Sequence, residues 1–114
     1  MSSKARKELV TETSILACYQ FLRKLHPFCD WDLPAKIECA AIDDAQCYGE
    51  FIEPREINIS RATVWEMSSL VRTMAHEMVH LRQSMLGKPP DHDKLFYKLA
   101  KEVCLHFGWR HEEF

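Results

Sequence analysis

The feature that most constrains the fold of this chain is a long segment, residues 61–86, that contains neither glycine nor proline. Its apolar residues recur at helical spacing on one side, which we expect to face the core: Met67, Val71, Met74, Met78, Leu81 and Met85. Ser60 is the expected N-cap, and Gly87 followed by two prolines ends the pattern. The segment therefore predicts one long helix with a single buried side.

Two further helices are predicted on either side of this segment. Apolar residues at helical spacing indicate a first helix over residues 3–25, which ends near His26-Pro27. A last helix is expected to open at Asp91 as N-cap and to run to about Phe107, with Gly108 as its stop.

Three short runs, residues 35–42, 46–52 and 56–60, lie between the first two predicted helices. Connections this short are typical of antiparallel neighbours, so we expect a three-stranded antiparallel meander. In the last run Ile57 and Ile59 alternate with polar residues, which predicts a strand with one buried face. The order of helix, three strands, helix and helix predicts an α+β fold in a single domain, residues 1–114.

Length and composition limit the classes of function. The 114 residues are 46% hydrophobic and 28% charged, which is typical of a soluble globular protein with one core. The net charge of −2 gives no bulk attraction to nucleic acid or anionic lipid, and the basic cluster of Lys4, Arg6 and Lys7 is followed by acidic residues. No apolar run approaches the roughly 18 residues that span a bilayer. We therefore expect a cytoplasmic protein without a membrane or a strong nucleic-acid partner.

The five cysteines offer no metal motif of their own, because they are odd in number and none forms a C-x-x-C pair. We therefore expect the five cysteines to be reduced and mostly buried: Cys18, Cys29, Cys39, Cys47 and Cys104.

A polar strip lies on the predicted long helix roughly opposite the apolar stripe, and it includes His76 and His80, one turn apart. Residues at i and i+4 stack above one another, so both imidazoles can reach one tetrahedral metal ion. Glu77 would lie beside that ion without binding it, in position to take a proton from a water molecule. The pattern His-Glu-x-x-His predicts zinc-dependent hydrolysis with Glu77 as the catalytic general base.

A catalytic zinc ion usually takes three protein ligands and keeps a fourth position for water. We expect His92 to be the third ligand, in the first turn of a last helix that doubles back toward the motif. We do not expect Asp91 or Asp93 to bind the ion, because Asp91 is explained as the helix cap and Asp93 as an acidic residue that interacts favourably with the helix dipole. Glu102 is the alternative third ligand. The metzincin spacing is excluded, because it would need histidine at the position of Leu86.

Two segments of the chain resemble the SprT-like zinc metallopeptidases. They are residues 73–81, T-M-A-H-E-M-V-H-L, and residues 92–96, H-D-K-L-F, which is similar to that family's H-G-x-x-F segment. The family places a helix and a small antiparallel sheet before the motif helix, so the resemblance covers nearly the whole chain at a coarse level. It implies a zincin-like fold in which His76, His80 and His92 bind one zinc ion, Glu77 is the base and the substrate is protein.

The leading interpretation is therefore a zinc endopeptidase that acts on protein. Compact single-domain relatives of this kind are familiar from bacteriophages and bacteria. Some family members cut proteins crosslinked to DNA, but this chain has Asp93 where the family often has glycine, and it contains neither a zinc ribbon nor a strongly basic patch. The alternatives are a zinc-stabilised interaction domain without turnover and a DNA-associated protease or adaptor.

Two further elements of a protease site stay open at this point. Residues 46–51 are either a sheet edge along which a substrate extends or a plain strand. The oxyanion on the scissile carbonyl could receive a hydrogen bond from any of four side chains: Tyr48, Tyr97, His106 and His111.

Overall fold

The structure, a computed structural model, describes residues 9–114 and confirms the predicted α+β class. In chain order the regular elements are α1 (Glu12–Arg23), β1 (Glu38–Ile42), β2 (Gly49–Ile52), β3 (Glu56–Ser60), α2 (Met67–Met85) and α3 (Lys94–Phe107). Two short 3₁₀ turns lie at Phe28–Asp30 and His111–Glu113. None of the helices in this part of the chain is long and apolar enough to cross a membrane.

The predicted first helix is interrupted after Leu9, because Thr11 and Ser14 form a capping box that starts α1 at Glu12. The main-chain N–H of Ser14 donates to the Thr11 hydroxyl at 3.0 Å, and the N–H of Thr11 donates to the Ser14 hydroxyl at 2.9 Å. Thr11 itself has an extended backbone, so one continuous helix over residues 3–25 is wrong at this point. Residues 3–8, with the basic cluster, lie outside the described part.

The sheet order is β1-β3-β2, so the predicted antiparallel meander is wrong. Strand β3 pairs antiparallel to β2 but parallel to β1. The reason is burial, since Asn58 and Ser60 are buried along with Ile57 and Ile59, and both faces of β3 are covered rather than one. Strand β3 is therefore the central strand of the sheet. The residues between β1 and β3, which include β2, form the long connection that a parallel pair of strands requires.

The long helix α2 begins at Met67 rather than near Arg61. Ser60, the expected cap, accepts hydrogen bonds from the main-chain N–H groups of Asp44 and Ala62 and donates to the Asp44 carbonyl oxygen. Because the Ser60 hydroxyl makes these bonds at the end of β3, it does not cap α2. A turn follows Ser60, and the helix starts after Glu66. The end of the helix agrees with the prediction, because Gly87 adopts a left-handed conformation with φ of 73°.

The apolar stripe of α2 is only partly buried. Met74, Met78 and Leu81 are fully buried as expected, whereas Met67 and Met85, at the two ends, are 61% and 40% exposed. The apolar stripe of α2 therefore contacts the core mainly through the middle of the helix.

The last helix is capped by Asp93 and not by Asp91. The Asp93 carboxylate accepts a hydrogen bond from the main-chain N–H of Phe96 at 3.0 Å, and α3 starts at Lys94. His92 consequently lies in the loop before α3 rather than in the first turn of the helix. Gly108 ends α3 in the left-handed conformation, as predicted.

The cysteines are all free thiols, as expected, but they are less buried than predicted. Cys18 and Cys104 are buried, Cys39 and Cys47 are partly buried, and Cys29 is exposed. The prediction of mostly buried thiols is therefore wrong for three of the five.

A close approach at Gly49 sets the distance between α2 and the edge strand β2. A Cβ atom on Gly49 would lie 2.8 Å from Thr73 Cγ2 and 2.9 Å from the Asn58 main-chain oxygen. Both distances are shorter than carbon contacts allow, so only glycine fits here without movement of its neighbours.

Replacing Gly49 with alanine is expected to lower the free energy of unfolding by about 1–3 kcal/mol, because the added methyl group must displace Thr73 or the main chain of β3. Urea denaturation measures this loss. Adding Thr73→Ser removes the Cγ2 atom and should restore part of the stability. Unchanged stability of Gly49→Ala would contradict the close approach.

Candidate metal centre

Three histidine side chains converge between α2 and the loop before α3. His76 and His80 project from successive turns of α2, and Nε2 of His92 lies 3.2 Å from Nε2 of each of them. The donor atoms of the three residues all lie within 4.8 Å of one another, so the group can hold a metal ion. The alternative third ligand, Glu102, is exposed on α3 and does not belong to this group.

The tautomer of His80 is fixed by the buried amide of Gln83. The amide nitrogen of Gln83 donates to the Asp91 carbonyl oxygen at 2.8 Å and to the Asp93 carboxylate at 3.1 Å. The amide oxygen therefore faces His80 Nδ1 at 2.8 Å, and this ring nitrogen must carry the hydrogen. Nε2 of His80 is left with a free lone pair that points toward His92.

The tautomer of His76 is fixed by a main-chain oxygen, that of Phe114. Nδ1 of His76 lies 2.8 Å from the main-chain oxygen of Phe114, which can only accept, so Nδ1 donates. The Phe114 ring also packs on the His76 ring, with 5.3 Å between centroids. Residues that fix a ligand's ring and tautomer in this manner are a regular part of metal sites.

The donor geometry fits a metal ion. His92 Nε2 can carry at most one hydrogen, so it can satisfy only one of the two lone pairs that face it from His76 and His80. An ion between the three rings would accept all three lone pairs at once. Zinc–nitrogen bonds of about 2.0–2.1 Å imply nitrogen atoms roughly 3.3 Å apart in a tetrahedral site, close to the two separations of 3.2 Å.

Burial keeps the two helical histidines in the neutral form that a metal requires. Desolvation lowers the pKa of His76 to about 4; the Phe114 oxygen opposes this effect, and His80 and His92 add to it. Burial also lowers the pKa of His80, against the hydrogen bond to Gln83. Protons therefore compete little for these two nitrogen atoms at neutral pH.

Glu77 is buried next to the histidines, with only 6% of its surface exposed. Burial raises the pKa of its carboxyl group to about 8, and the negative charge of Glu50 on β2 adds to the rise. A carboxyl group that is this desolvated and lies in a cavity wall is typical of a functional site.

Phe96 forms an apolar wall behind the three ligands. Its ring centroid lies 5.0, 4.9 and 4.6 Å from those of His76, His80 and His92. Because Phe96 lies in the first turn of α3, the capping of that helix by Asp93 also sets the position of this wall. An apolar shell of this kind keeps water away from the back of the site.

A cavity of about 450 Å³ adjoins the histidines on the side of His76 and Glu77. The start of β2 forms one wall, α2 forms the second, and the C-terminal residues form the third. Its lining residues are Cys47, Tyr48, Gly49, Ser69, Arg72, Thr73, His76, Glu77, Glu113 and Phe114. The volume lies within the range of ordinary ligand sites.

Of the four side chains considered for the oxyanion, only Tyr48 lines this cavity. Tyr97 packs edge-on against Phe96, His106 stacks on His26, and His111 is exposed. Arg72 also lines the cavity, with its guanidinium group 5.9 Å from the centre of the Trp109 ring, and sequence reasoning did not identify it.

Gln83 and Phe114 are the other residues of the site that sequence reasoning missed. Gln83 lies on the polar side of the predicted helix, opposite the apolar stripe, yet its side chain is fully buried. A polar residue three positions after the second histidine was the available signal. No local signal in the sequence marks Phe114, because its contact with His76 spans 38 positions.

Comparisons with protein-family models, with curated proteins and with solved structures gave no match to this chain. The resemblance to the SprT-like family therefore stays a prediction that rests on residues 73–81 and 92–96.

The substitution Gln83→Leu is expected to weaken zinc binding about 10- to 100-fold, because His80 loses its acceptor and the loop that carries His92 loses two hydrogen bonds. Competition with a chromophoric chelator measures the affinity. Gln46→Leu is the matched control, since Gln46 is exposed. Equal affinities of Gln83→Leu and the wild type would contradict this role.

Proposed function

We propose that this protein is a zinc-dependent endopeptidase of the SprT-like kind, with His76, His80 and His92 as ligands and Glu77 as the base. The observation that carries the proposal is the meeting of three imidazole nitrogens beside a buried carboxyl group at the wall of a cavity. Each part alone has a structural explanation, but together they form the donor set and the base that metal-assisted hydrolysis requires.

Zinc is the ion that this donor set suits best among the common divalent ions of proteins, because all three ligands are neutral imidazoles. Three ligands leave a coordination position for a reactant, whereas structural zinc sites are closed by four, often thiolates. When bound, zinc supplies a Lewis acid that makes water reactive toward a peptide carbonyl near neutral pH.

Within residues 9–114, Glu77 makes no hydrogen bond or ion pair that would explain its burial. It is an ionisable residue on the buried side of α2, where burying such a group costs stability without a compensating partner. As a base, its carboxylate would accept a proton from the attacking water and return it to the leaving nitrogen. This role favours an enzyme over an interaction domain that merely keeps a metal.

The substrate in this proposal is an extended protein segment. Strand β2 is at the edge of the sheet, and the residues that lead into it line the cavity together with Glu77. An extended chain could add to this edge through main-chain hydrogen bonds and bring a peptide carbonyl toward Tyr48 and Arg72. The net charge of −2 does not favour a nucleic acid as an additional ligand.

The variant Glu77→Gln tests the proposal. It should abolish cleavage of an unfolded protein substrate while the zinc content stays that of the wild type, because a glutamine amide cannot accept the proton, and the change disturbs none of the three ligands. Cleavage is followed by gel electrophoresis and zinc by atomic absorption.

His111→Ala is the matched control, since it removes an exposed histidine and should leave both cleavage and zinc unchanged. Cleavage by Glu77→Gln at the wild-type rate would show that Glu77 is not the base, and the proposed mechanism would fall.

A further inference from the structure

A second group of metal-binding side chains lies away from the three histidines, at the turn that follows α1. His26 Nδ1 lies 2.9 Å from Asp30 Oδ2 and 3.3 Å from Cys29 Sγ, and the same sulfur lies 3.8 Å from Asp30 Oδ1. One donor atom from each of the three residues falls within 4.8 Å of the others. All three side chains are exposed, so an ion can reach them from solvent.

The main chain of this turn holds the three donors in place. Consecutive main-chain hydrogen bonds of 2.9–3.1 Å run from Cys29, Asp30 and Trp31 to Leu25, Pro27 and Phe28. Phe28 is fully buried between these residues and packs against Trp31 and against Phe107 of α3. The turn is therefore anchored to the core although the donor side chains are exposed.

The ring of His26 is also supported from a second element. His106, in the last turn of α3, stacks on it with 6.0 Å between ring centroids and 28° between ring planes. This contact and the short bond to Asp30 restrict the ring on two sides. A ligand that is held before the metal arrives loses less conformational entropy on binding.

We propose that His26, Cys29 and Asp30 form a second metal site that takes a divalent ion of the zinc class. A thiolate, an imidazole and a carboxylate are the donors that zinc combines in proteins. Bond lengths near 2.0–2.3 Å imply donor separations of roughly 3.3–3.6 Å in a tetrahedral site. The two separations from His26 Nδ1, 2.9 Å to Asp30 Oδ2 and 3.3 Å to Cys29 Sγ, are slightly shorter, so a small outward movement of the donors would admit an ion.

The protonation of the cluster points to the same conclusion. His26 Nδ1 faces a carboxylate oxygen and a thiol sulfur, and one hydrogen on that nitrogen can be donated to only one of them. A metal ion that replaces the protons of Nδ1 and Sγ would be shared by all three groups. The site does not depend on the proposed peptidase activity, because none of its residues lines the cavity beside Glu77.

Cobalt(II) is the probe that separates this site from the histidine centre, because only a thiolate ligand produces a sulfur-to-cobalt charge-transfer band in the near ultraviolet. The titration uses the reduced, metal-free full chain carrying His92→Ala, which disables the first centre. We expect the band to grow to saturation at about one cobalt ion per chain and to disappear when zinc is added. Circular dichroism checks that each variant is folded.

Adding Cys29→Ser should remove the band, and adding Cys47→Ser, at a partly buried cysteine of another region, should leave it unchanged. His26→Ala and Asp30→Ala should each shift the titration to higher cobalt concentration. No band at a large excess of cobalt, or a band that survives Cys29→Ser, would overturn the site. Unchanged cobalt affinity in both His26→Ala and Asp30→Ala would also overturn it, because Cys29 would then bind alone.

Discussion

The site depends on one buried amide, that of Gln83. Its oxygen fixes the tautomer of His80, and its nitrogen holds the Asp91 carbonyl and the Asp93 carboxylate. The same Asp93 oxygen caps α3 through the Phe96 N–H, and the Phe96 ring packs against all three ligands. One side chain on α2 therefore orients a helical ligand and positions the loop that carries His92.

Burial explains the electrostatics of the same region. Desolvation favours the neutral forms of both His76 and Glu77. The neutral imidazole is the form that binds a metal ion, whereas Glu77 must lose its proton before it can act as a base, and the positive charge of a bound ion would favour that loss. The Phe114 oxygen and Gln83 then direct the hydrogens of two imidazoles away from the centre. What remains is two inward lone pairs, of which His92 can satisfy only one, whereas a cation can accept both, and this is the physical basis of the proposed zinc site.

Local patterns predicted the parts of this arrangement that depend on nearby residues. The spacing of His76 and His80 on a helix without glycine or proline is a local property, and the left-handed Gly87 and Gly108 ended their helices as expected. The predicted strand order was wrong because Asn58 is buried by the elements that cover β3. The alternation of apolar and polar residues within the strand does not reveal such long-range burial. The predicted cap at Asp91 was wrong because Gln83, from α2, donates to the Asp91 carbonyl oxygen and to the Asp93 carboxylate, and Asp93 becomes the residue that caps α3.

The proposed histidine centre is tested by comparing the zinc content of the chain that retains all three histidines with that of His92→Ala. Both proteins carry Cys29→Ser, so that the exposed cluster contributes no metal. After dialysis against a mild chelator, we expect about one zinc ion per chain with His92 present and almost none in the variant. An empty centre in the chain that retains all three histidines, or equal zinc in both proteins, would contradict it.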